Sequence, residues 1–465
     1  MKITFLGGAQ EVTGSTHVLQ TDRSTVIRDS GMFQGHRAEA RQKSEHAFDT
    51  LPHANAVVLS HAHIDHCGNL PTLVKHGFNG PIHTTHATAD LCSYMLRDSA
   101  HIQEMDAAYL NKKLALKGEP LVEPLYTTPD AEAVLPLFVG HNYHEPVQVT
   151  DDIRVTAYEA GHVLGAALHL FEITENSRTL RLGYAFDLGR KNLPILCDPE
   201  QLSDIDALVI ESTYGNRLHR DILQSEDLLA GVINRTCARG GKIIVPSFAL
   251  ERTQEILCVV QRLRLDKRIP KTLPVIVDSP LAVNLTGVFL RHTDLFDADT
   301  MALMARGAKA GTHHYVRLVS SVEESKALND DKRPMMIISA SGMCESGRIL
   351  HHLKNNIEDP NNAVVIVGFQ AANTLGRRIV ERAPDVRIFG ETYRVRAERV
   401  VLNTFSGHAD RNDLLRFVDG VGARCKTFIL VHGEPGAIES FARDIRARRP
   451  DCRVETPARE DQLEL

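Results

Sequence analysis

A short apolar run that ends in a cluster of histidines constrains this chain more than any other feature. Residues 57–59 read Val-Val-Leu, and residues 60–66 continue as Ser-His-Ala-His-Ile-Asp-His. The run is typical of a buried strand that ends at a loop. Such a loop can direct several side chains to one point, and imidazole and carboxylate groups are ligands for Zn²⁺. The chain is therefore expected to place a strand end at a metal site.

The spacing of these residues divides them into two pairs. His61 and His63 can converge on one ion, while Asp65 and His66 face a neighbouring one. The alternative is a polar turn with incidental histidines, since the chain contains 23 of them. Four ligand-type residues within six positions favour the metal site.

Composition bounds the class of protein but does not identify its partner. The chain has 465 residues, of which 43% are hydrophobic and 24% charged, enough for two or three domains with buried cores. It shows no apolar run of membrane-spanning length and no secretory signal. Its eight cysteines form no CxxC pair. We therefore expect a cytoplasmic protein without a membrane partner. The net charge of −6 argues against a passive polyanion binder. This charge leaves out bound metal ions and local arginine clusters, so it does not decide the partner.

The pattern of apolar runs predicts how the chain is organised. Short strand-like runs fill the first part, with a helix at about residues 87–118 and another that starts near Thr128 as its cap. From residue 207 onward, near-continuous apolar strands alternate with helical segments, which indicates a parallel sheet covered on both faces. The strand-rich style returns after about Gly390. These patterns predict one αββα-type domain, interrupted by an inserted α/β domain, with limits at 1–210, 211–392 and 393–465.

Four motifs together resemble the metallo-β-lactamase superfamily. The HxHxDH pattern after a strand resembles its second motif, and the segment around His162 resembles the third. Residues 184–190 resemble the fourth motif, which implies Asp187 as a carboxylate that bridges two metal ions. Residues 26–35 resemble the first motif, which implies that Asp29 orients a ligand histidine. A turn-capping role for Asp29 is compatible with this.

Later segments resemble the β-CASP nucleases within that superfamily. Glu211, His408 and His432 match their motifs A, B and C, and residues 245–257, 277–282 and 338–355 resemble their inserted domain. The resemblance covers the whole chain and extends to bacterial and archaeal homologues of the endonuclease subunit of the mRNA 3′-end cleavage and polyadenylation complex. It implies an α/β fold, a metallo-β-lactamase αββα sandwich with an inserted β-CASP domain. A histidine at motif C is typical of the branch that acts on RNA.

The resemblance also implies a mechanism with two zinc ions per chain. The ligands of one ion would be His61, His63, His162 and Asp187, and those of the other Asp65, His66, Asp187 and His432. His408 is the candidate general acid, with Glu211 holding its other ring nitrogen. The expected reaction is hydrolysis of single-stranded RNA to 5′-phosphate and 3′-hydroxyl ends. The balance of endonuclease and exonuclease action stays open.

A Gly/Ser-rich turn before a helix near residue 349 is a candidate phosphate site. Such turns also serve as plain strand-to-helix connectors, and exposed arginines are often only a solvated face. His351 and His352 are as readily surface or packing residues, so they are left out of the site. The candidate phosphate and RNA contacts are Ser339, Ser341, Gly342, Gly347, Arg377 and Arg378.

Two departures from the family pattern bear on these expectations. Phe186 stands where the family usually has glycine before the bridging aspartate, which affects the local turn. The chain also shows neither the amino-terminal RNA-binding domains of archaeal relatives nor the C-terminal extension of ribonuclease J, which disfavours a specialised 5′-exonuclease. The rival functions are a small-molecule hydrolase of the superfamily and a non-catalytic RNA-binding scaffold. The oligomeric state stays open, with a homodimer among the alternatives.

Overall fold

The computed structural model describes residues 1–465 except 36, 50, 52, 220–221, 311–314, 369, 372–373 and 403–405. Motif B comprises residues 403–410 around His408, and its first three residues, 403–405, thus lie outside the described residues. Contacts divide the chain into two compact units. Unit 1 comprises Met1–Lys191, Asp198–Leu218 and Gly407–Leu465, and unit 2 comprises Asn192–Cys197 and His219–Ser406. The limits at 210/211 and 392/393 expected from the sequence stay predictions.

The first part of unit 1 contains most of its strands and one long helix. Its strands and α-helices in chain order are β1 (Lys2–Gly7), β2 (Thr16–Gln20), β3 (Thr25–Arg28), α1 (Arg37–Glu45), β4 (Ala56–Val58), α2 (Ile64–Cys67), α3 (Leu70–Lys75), β5 (Ile82–Thr85), α4 (His86–Lys117), α5 (Thr128–Val134), β6 (Phe138–His141), β7 (Val147–Thr150), β8 (Ile153–Glu159), β9 (Ala167–Glu175), β10 (Arg178–Ala185) and β11 (Ala207–Glu211).

Unit 2 alternates helices and strands, and unit 1 then resumes. The elements of unit 2 are α6 (Ile222–Ala238), β12 (Ile243–Pro246), α7 (Arg252–Leu265), β13 (Val275–Asp278), α8 (Pro280–Arg291), α9 (Ala298–Lys309), β14 (Val316–Val319), α10 (Val322–Asp330), β15 (Met336–Ser339), α11 (Ile349–Asn356), β16 (Ala363–Ile366), α12 (Leu375–Val380), β17 (Asp385–Ile388), β18 (Glu391–Arg394) and β19 (Glu398–Val401). Unit 1 is completed by α13 (Arg411–Gly420), β20 (Thr427–Val431), α14 (Pro435–Arg448), β21 (Arg453–Glu455) and β22 (Gln462–Glu464). Among the described residues, no helix combines the length and the apolar character needed to cross a bilayer.

Unit 1 is a sandwich of two sheets with helices outside. The described strands form one sheet in the order β22-β1-β2-β3-β4-β5-β6 and another in the order β21-β20-β11-β10-β9-β8-β7. Phe5 of β1 and Val209 of β11 belong to the buried cluster between the sheets. Alternate side chains of a strand point to opposite faces, so Leu208 and Ile210 pack outward, in a cluster with residues of α13 and α14. The long helix α4 contacts β5 and β6 of the first sheet. The predicted αββα arrangement is confirmed.

Unit 2 is built on a parallel sheet. The described strands lie in the order β14-β13-β15-β12-β16-β19, and every pair of neighbours is parallel. Val245 packs in the cluster that contains residues of α6 and α7, whereas the adjacent Ile244 packs on the other face with residues of α11 and α12. Both faces are therefore covered, as predicted. The apolar run at residue 207 does not belong to this sheet, however, because β11 pairs in parallel with β10 and β20 of unit 1.

The two helices predicted in the first part of the chain are present, but the N-cap of the second lies one residue earlier than predicted. The N-cap of α4 is Thr85, and its C-cap is Gly118 with a φ of 66°, which favours glycine. For α5 the predicted cap Thr128 is wrong by one residue. The cap is Thr127, because its backbone N–H donates to the Asp130 carboxylate at 2.8 Å.

Candidate metal centre

The candidate ligands all lie in unit 1, directly after strands or in the loops that join them. The loop that follows β4 carries His61 and His63, and the short helix α2 after it carries Asp65 and His66. Because strands of one sandwich end at shared edges, loops that are distant in sequence can meet there. The other candidates lie in the β8–β9 loop (His162), after β10 (Asp187), at the end of β11 (Glu211), before α13 (His408) and after β20 (His432).

Four side chains form the first candidate ligand group. His61 Nε2 and His162 Nε2 lie 3.3 and 3.4 Å from Asp187 Oδ2. His63 Nδ1 lies 3.1 Å from His61 Nε2 and 3.2 Å from His162 Nε2. For zinc bound tetrahedrally at about 2.0–2.1 Å, neighbouring ligand atoms are about 3.3–3.4 Å apart. The spacing and the chemistry of these four donors therefore fit a zinc ion.

Three further side chains form the second group, and Asp187 faces it as well. His66 Nε2 lies 3.3 Å from His432 Nε2. Asp65 Oδ2 lies 3.6 Å from His432 Nε2 and 3.9 Å from His66 Nε2. Asp187 Oδ1 is 3.4 Å from His66 Nε2 and 3.2 Å from His432 Nδ1. The two carboxylate oxygens of Asp187 thus face different groups, as a bridging ligand requires.

The surroundings of Asp187 support a metal partner. Its side chain is buried, and Oδ1 accepts no hydrogen bond from any described residue. An unsatisfied buried carboxylate oxygen is energetically unfavourable. Burial alone would raise the pKa of Asp187, but the neighbouring histidines 432, 66 and 408 hold it well below its usual range. The carboxylate is therefore ionised and available to a cation.

Burial also sets the protonation of the histidine ligands. It lowers the pKa of His61, lowers that of His63 to about 3, and lowers that of His162 well below its usual value, which leaves the neutral imidazole that binds metals. His66 differs. Burial alone would lower its pKa, but the carboxylates of Asp187 and Asp29 raise it well above the usual value. A metal ion at the second group must therefore displace a proton from His66.

Asp29 holds His66 from behind, as the first motif implies. Its Oδ2 lies 2.7 Å from His66 Nδ1, which leaves Nε2 directed at the second group. The backbone N–H and hydroxyl of Ser60 donate to the two Asp29 oxygens at 2.6 and 2.7 Å. The loops pack so closely that a Cβ at Gly31 would lie 1.7 Å from the carbonyl oxygen of Asp65. Glycine at this position therefore allows the Asp29 loop to reach the ligand loop.

His408 and Glu211 form a pair at the edge of the centre. His408 Nδ1 lies 3.2 and 3.3 Å from the two Glu211 oxygens, and its ring is 4.6 Å from that of His162. Glu211 is fully buried, whereas the His408 side chain is 22% exposed. Burial alone would lower the pKa of His408, but Glu211 and Asp187 raise it to about 9. With Glu211 holding Nδ1, Nε2 is the ring nitrogen that can carry a proton at neutral pH.

The candidate phosphate residues lie together in unit 2, but their side chains make internal contacts. Ser339 is buried, and its hydroxyl donates to the carbonyl oxygen of Asp278 at 2.8 Å. The Ser341 hydroxyl accepts the N–H of Glu345 at 3.1 Å. A Cβ at Gly342 would lie 2.9 Å from a ring atom of Phe248. Gly347 has a φ of 81°, which favours glycine.

The two candidate arginines lie on α12, beside the same loop. The Gly376 N–H donates to the carbonyl oxygen of Met343 at 3.1 Å, which ties the helix to the loop. Arg377 pairs with Glu381 at 2.6 Å. Arg378 is exposed, and its Nη2 donates to the carbonyl oxygen of Asp385 at 3.4 Å. The structure thus brings the loop and the arginines together, while phosphate binding stays a prediction.

Sequence reasoning missed a buried polar cluster behind this loop. Asp278 accepts hydrogen bonds from Arg348 Nη1 at 2.6 Å and Ser325 Oγ at 2.5 Å, and it contacts His352 Nε2 at 2.6 Å. His352, left out of the site, is fully buried, whereas His351 packs its ring on Phe389. The position of Asp278 at the end of an apolar strand is the one signal that the sequence offered.

Fold and site together define the class: a metal-dependent hydrolase with the metallo-β-lactamase architecture. Comparisons with known families agree. The metallo-beta-lactamase superfamily domain matches residues 18–192, the Beta-Casp domain 253–379, and the Zn-dependent metallo-hydrolase RNA specificity domain 392–457.

Relatives extend the match to nearly the whole chain. Ribonuclease TTHA0252 of Thermus thermophilus is 35% identical, over 93% of each chain. The RNase J-like protein of Methanocaldococcus jannaschii is 31% identical over 95% of each chain. Transcription termination factor FttA of Pyrococcus horikoshii is 30% identical over 96% of this chain and 68% of its own.

The solved structure of a protein of unknown function from Enterococcus faecalis V583 shares the fold, with a TM-score of 0.56. The two sequences are 14% identical, and the match covers 100% of this chain and 99% of that chain. The chain belongs to the β-CASP family of metallo-β-lactamase-fold ribonucleases. It is a metal-dependent ribonuclease.

Proposed function

We propose that this ribonuclease binds two zinc ions and hydrolyses single-stranded RNA, leaving 5′-phosphate and 3′-hydroxyl ends. The observation that supports it most is the placement of Asp187, whose Oδ2 faces His61 and His162 and whose Oδ1 faces His66 and His432. One carboxylate that faces two groups of ligand-type side chains supports a two-metal centre.

The seven side chains that make up the two candidate ligand groups would hold the metal ions. Bound zinc would supply acidified water and neutralise charge that develops on the phosphate. The protein's own contribution is to fix the donors. Asp29 orients His66, and burial keeps His61 and His63 neutral.

His408 is proposed as the group that protonates the leaving ribose oxygen. Its Nδ1 is held by the buried Glu211, so the proton for transfer resides on Nε2. Holding His408 is the one role proposed for Glu211. It fixes the tautomer of His408 and stabilises the imidazolium.

We further propose that the substrate is RNA in the cytoplasm, cut internally, with exonuclease action as a second activity. His432, at motif C, and His408 both lie within the segment that matches the RNA specificity domain. A non-catalytic scaffold is disfavoured because all seven ligand candidates are present, and a small-molecule hydrolase has no need of the His408–Glu211 pair.

The test is cleavage of a labelled single-stranded RNA and of a DNA oligonucleotide with the same sequence. We expect zinc-loaded protein to cut the RNA and spare the DNA, because the 2′-hydroxyl distinguishes the two. The downstream product should carry a 5′-phosphate and serve as a ligation donor, and the upstream product should carry a 3′-hydroxyl and serve as a ligation acceptor. Equal rates on RNA and DNA would contradict the RNA assignment, and binding of RNA without cleavage would favour the scaffold.

A further inference from the structure

A fully buried arginine lies behind Asp29. Arg28 Nη1 donates to Asp29 Oδ1 and, at 3.3 Å, to the carbonyl oxygen of Val58 at the end of β4. Its Nε and Nη2 have no hydrogen-bond partner among the described residues. A buried guanidinium with unpaired N–H groups needs another source of stabilisation.

Two aromatic rings cover this guanidinium. Arg28 Cζ lies 5.1 Å from the ring centre of Phe186 and 5.5 Å from that of Tyr184. Both distances are within the range of a cation–π contact. Phe186 also meets the rings of His17 at 4.9 Å and His66 at 5.9 Å. The residue that replaces the usual glycine of the fourth motif thus packs between the buried arginine and a ligand of the second group.

We propose that Arg28 and Phe186 form a positioning pair for the second metal group. Arg28 supplies the cationic side-chain donor to Asp29, and Asp29 fixes the ring of His66 at 2.7 Å. Phe186 covers the face of the guanidinium and keeps Nη1 directed at Asp29. This chain therefore uses Phe186 as part of the support for His66. The inference rests on the proposed function only in that the second group binds a metal ion.

The test measures the affinity of metal-free protein for Co²⁺, whose absorption spectrum reports the ligands around it. His63→Ala and Asp65→Ala assign each binding step to the first or the second group. We expect Arg28→Met and Phe186→Leu each to weaken binding at the second group by about 10–100-fold, the usual effect of losing an outer partner of a ligand, and to leave the first group unchanged. The double variant should bind no more weakly than Arg28→Met alone, because the two residues act as one unit.

Phe171→Leu is the matched control. Phe171 is a fully buried phenyl group in the same core cluster as Phe186. Its substitution removes a ring from the core but not one of the two that cover Arg28, so both Co²⁺ affinities should stay unchanged. Equal loss at both groups in Phe186→Leu and Phe171→Leu would reduce Phe186 to a packing residue.

Unchanged affinity of the second group in Arg28→Met would overturn the proposal. If Arg28→Met does not fold, Phe186→Leu decides, since it keeps an apolar side chain at that position. No RNA is involved, so a protein that binds two metal ions but cuts no RNA would contradict the proposed function and leave this test intact.

Discussion

Three residues of the centre have backbone angles that most amino acids avoid. Asp29, Asp187 and His432 have φ values of 59°, 43° and 47°. Left-handed backbone costs about 1–3 kcal/mol at a residue other than glycine, although Asp, Asn and His tolerate it best. At the end of a strand this conformation turns the side chain out of the sheet and toward the ligand groups. The centre therefore combines ligand chemistry with residue types that accept its backbone.

Two histidines of the centre are expected to respond differently to the same substitution. His432→Ala should lower metal content at the second group and cleavage together, because Nε2 lies 3.3 Å from His66 Nε2. His408→Ala should keep both metal ions and RNA binding while cleavage slows about 10²–10⁴-fold, the usual effect of losing a general acid. Metal analysis and cleavage rates on the same preparations check both expectations.

An activated substrate provides the control for the role of His408. A good leaving group needs no proton, so activity of His408→Ala on an aryl phosphodiester should fall much less than activity on RNA. Loss of a metal ion, or equal slowing of both substrates, would make His408 a ligand or a structural residue. The structure gives a reason to test His408 as a metal ligand, since Asp187, Glu211 and His408 also place ligand atoms within 4.8 Å of one another.

At the scale of elements, the Asp278 cluster ties β13 to α10 and α11 of unit 2. Asp278→Ala should lower the free energy of unfolding by about 3–5 kcal/mol, because it leaves the buried His352 and the partly exposed Arg348 without their carboxylate partner. Urea unfolding of the purified protein measures this change. Asp331→Ala is the control, since its partner Arg333 is 78% exposed and such pairs contribute about 0–1 kcal/mol. Equal effects of the two substitutions would show that the Asp278 cluster is not a structural tie.

The end of β8 carries a carboxyl group that makes stability depend on pH. Burial raises the pKa of Glu159 to about 8, although the Gly161 N–H donates to it at 2.7 Å. The folded pKa lies above the unfolded value, so the stabilising contribution is complete below about pH 4.3 and is lost as pH rises toward 8.

We expect Glu159→Gln, which stays neutral, to remove this dependence. The free energy of unfolding of the natural protein should fall relative to that of the variant between pH 5 and pH 8, with a slope of at most about 1.4 kcal/mol per pH unit. Parallel curves over that range would mean that Glu159 is ionised in the folded protein.

The sequence predicted the elements and the ligand candidates where the signal is local. His61, His63, Asp65 and His66 lie within six positions, so their convergence needs only one loop. The alternation of apolar strands and helices predicted the parallel sheet of unit 2 because each strand carries its own apolar run. The resemblance supplied His162 and the other distant ligands, which spacing alone could not.

What the sequence did not predict depends on partners far along the chain. Asp278 and His352 are separated by 74 positions, so nothing local distinguishes a buried pair from a turn and a helix surface. In the sequence, Arg28 is only a charged residue in a strand-like run. Tyr184 and Phe186, which cover it in the fold, lie more than 150 positions away. The run at residue 207 has the same pattern as the strands of unit 2, and only pairing with β10 and β20 assigns it to unit 1.

For the whole molecule, the formal net charge of −6 gives RNA no general attraction. Several surface arginines are also neutralised locally, as Arg377 is by Glu381 at 2.6 Å. Two bound zinc ions would add four positive charges at one place, so metal loading and substrate binding should be linked. In the proposed function the metal centre thus contributes to substrate binding as well as to cleavage.

The most direct test is a zinc titration of metal-free protein in which bound zinc and RNA cleavage are measured on the same samples. We expect two equivalents to bind, and cleavage to appear chiefly with the second. Asp187→Asn, which keeps the shape and the tolerated backbone angle but not the charge, should lose zinc from both groups and lose cleavage. Two equivalents of zinc retained by Asp187→Asn, or full cleavage by protein with one equivalent, would contradict the bridged two-zinc centre.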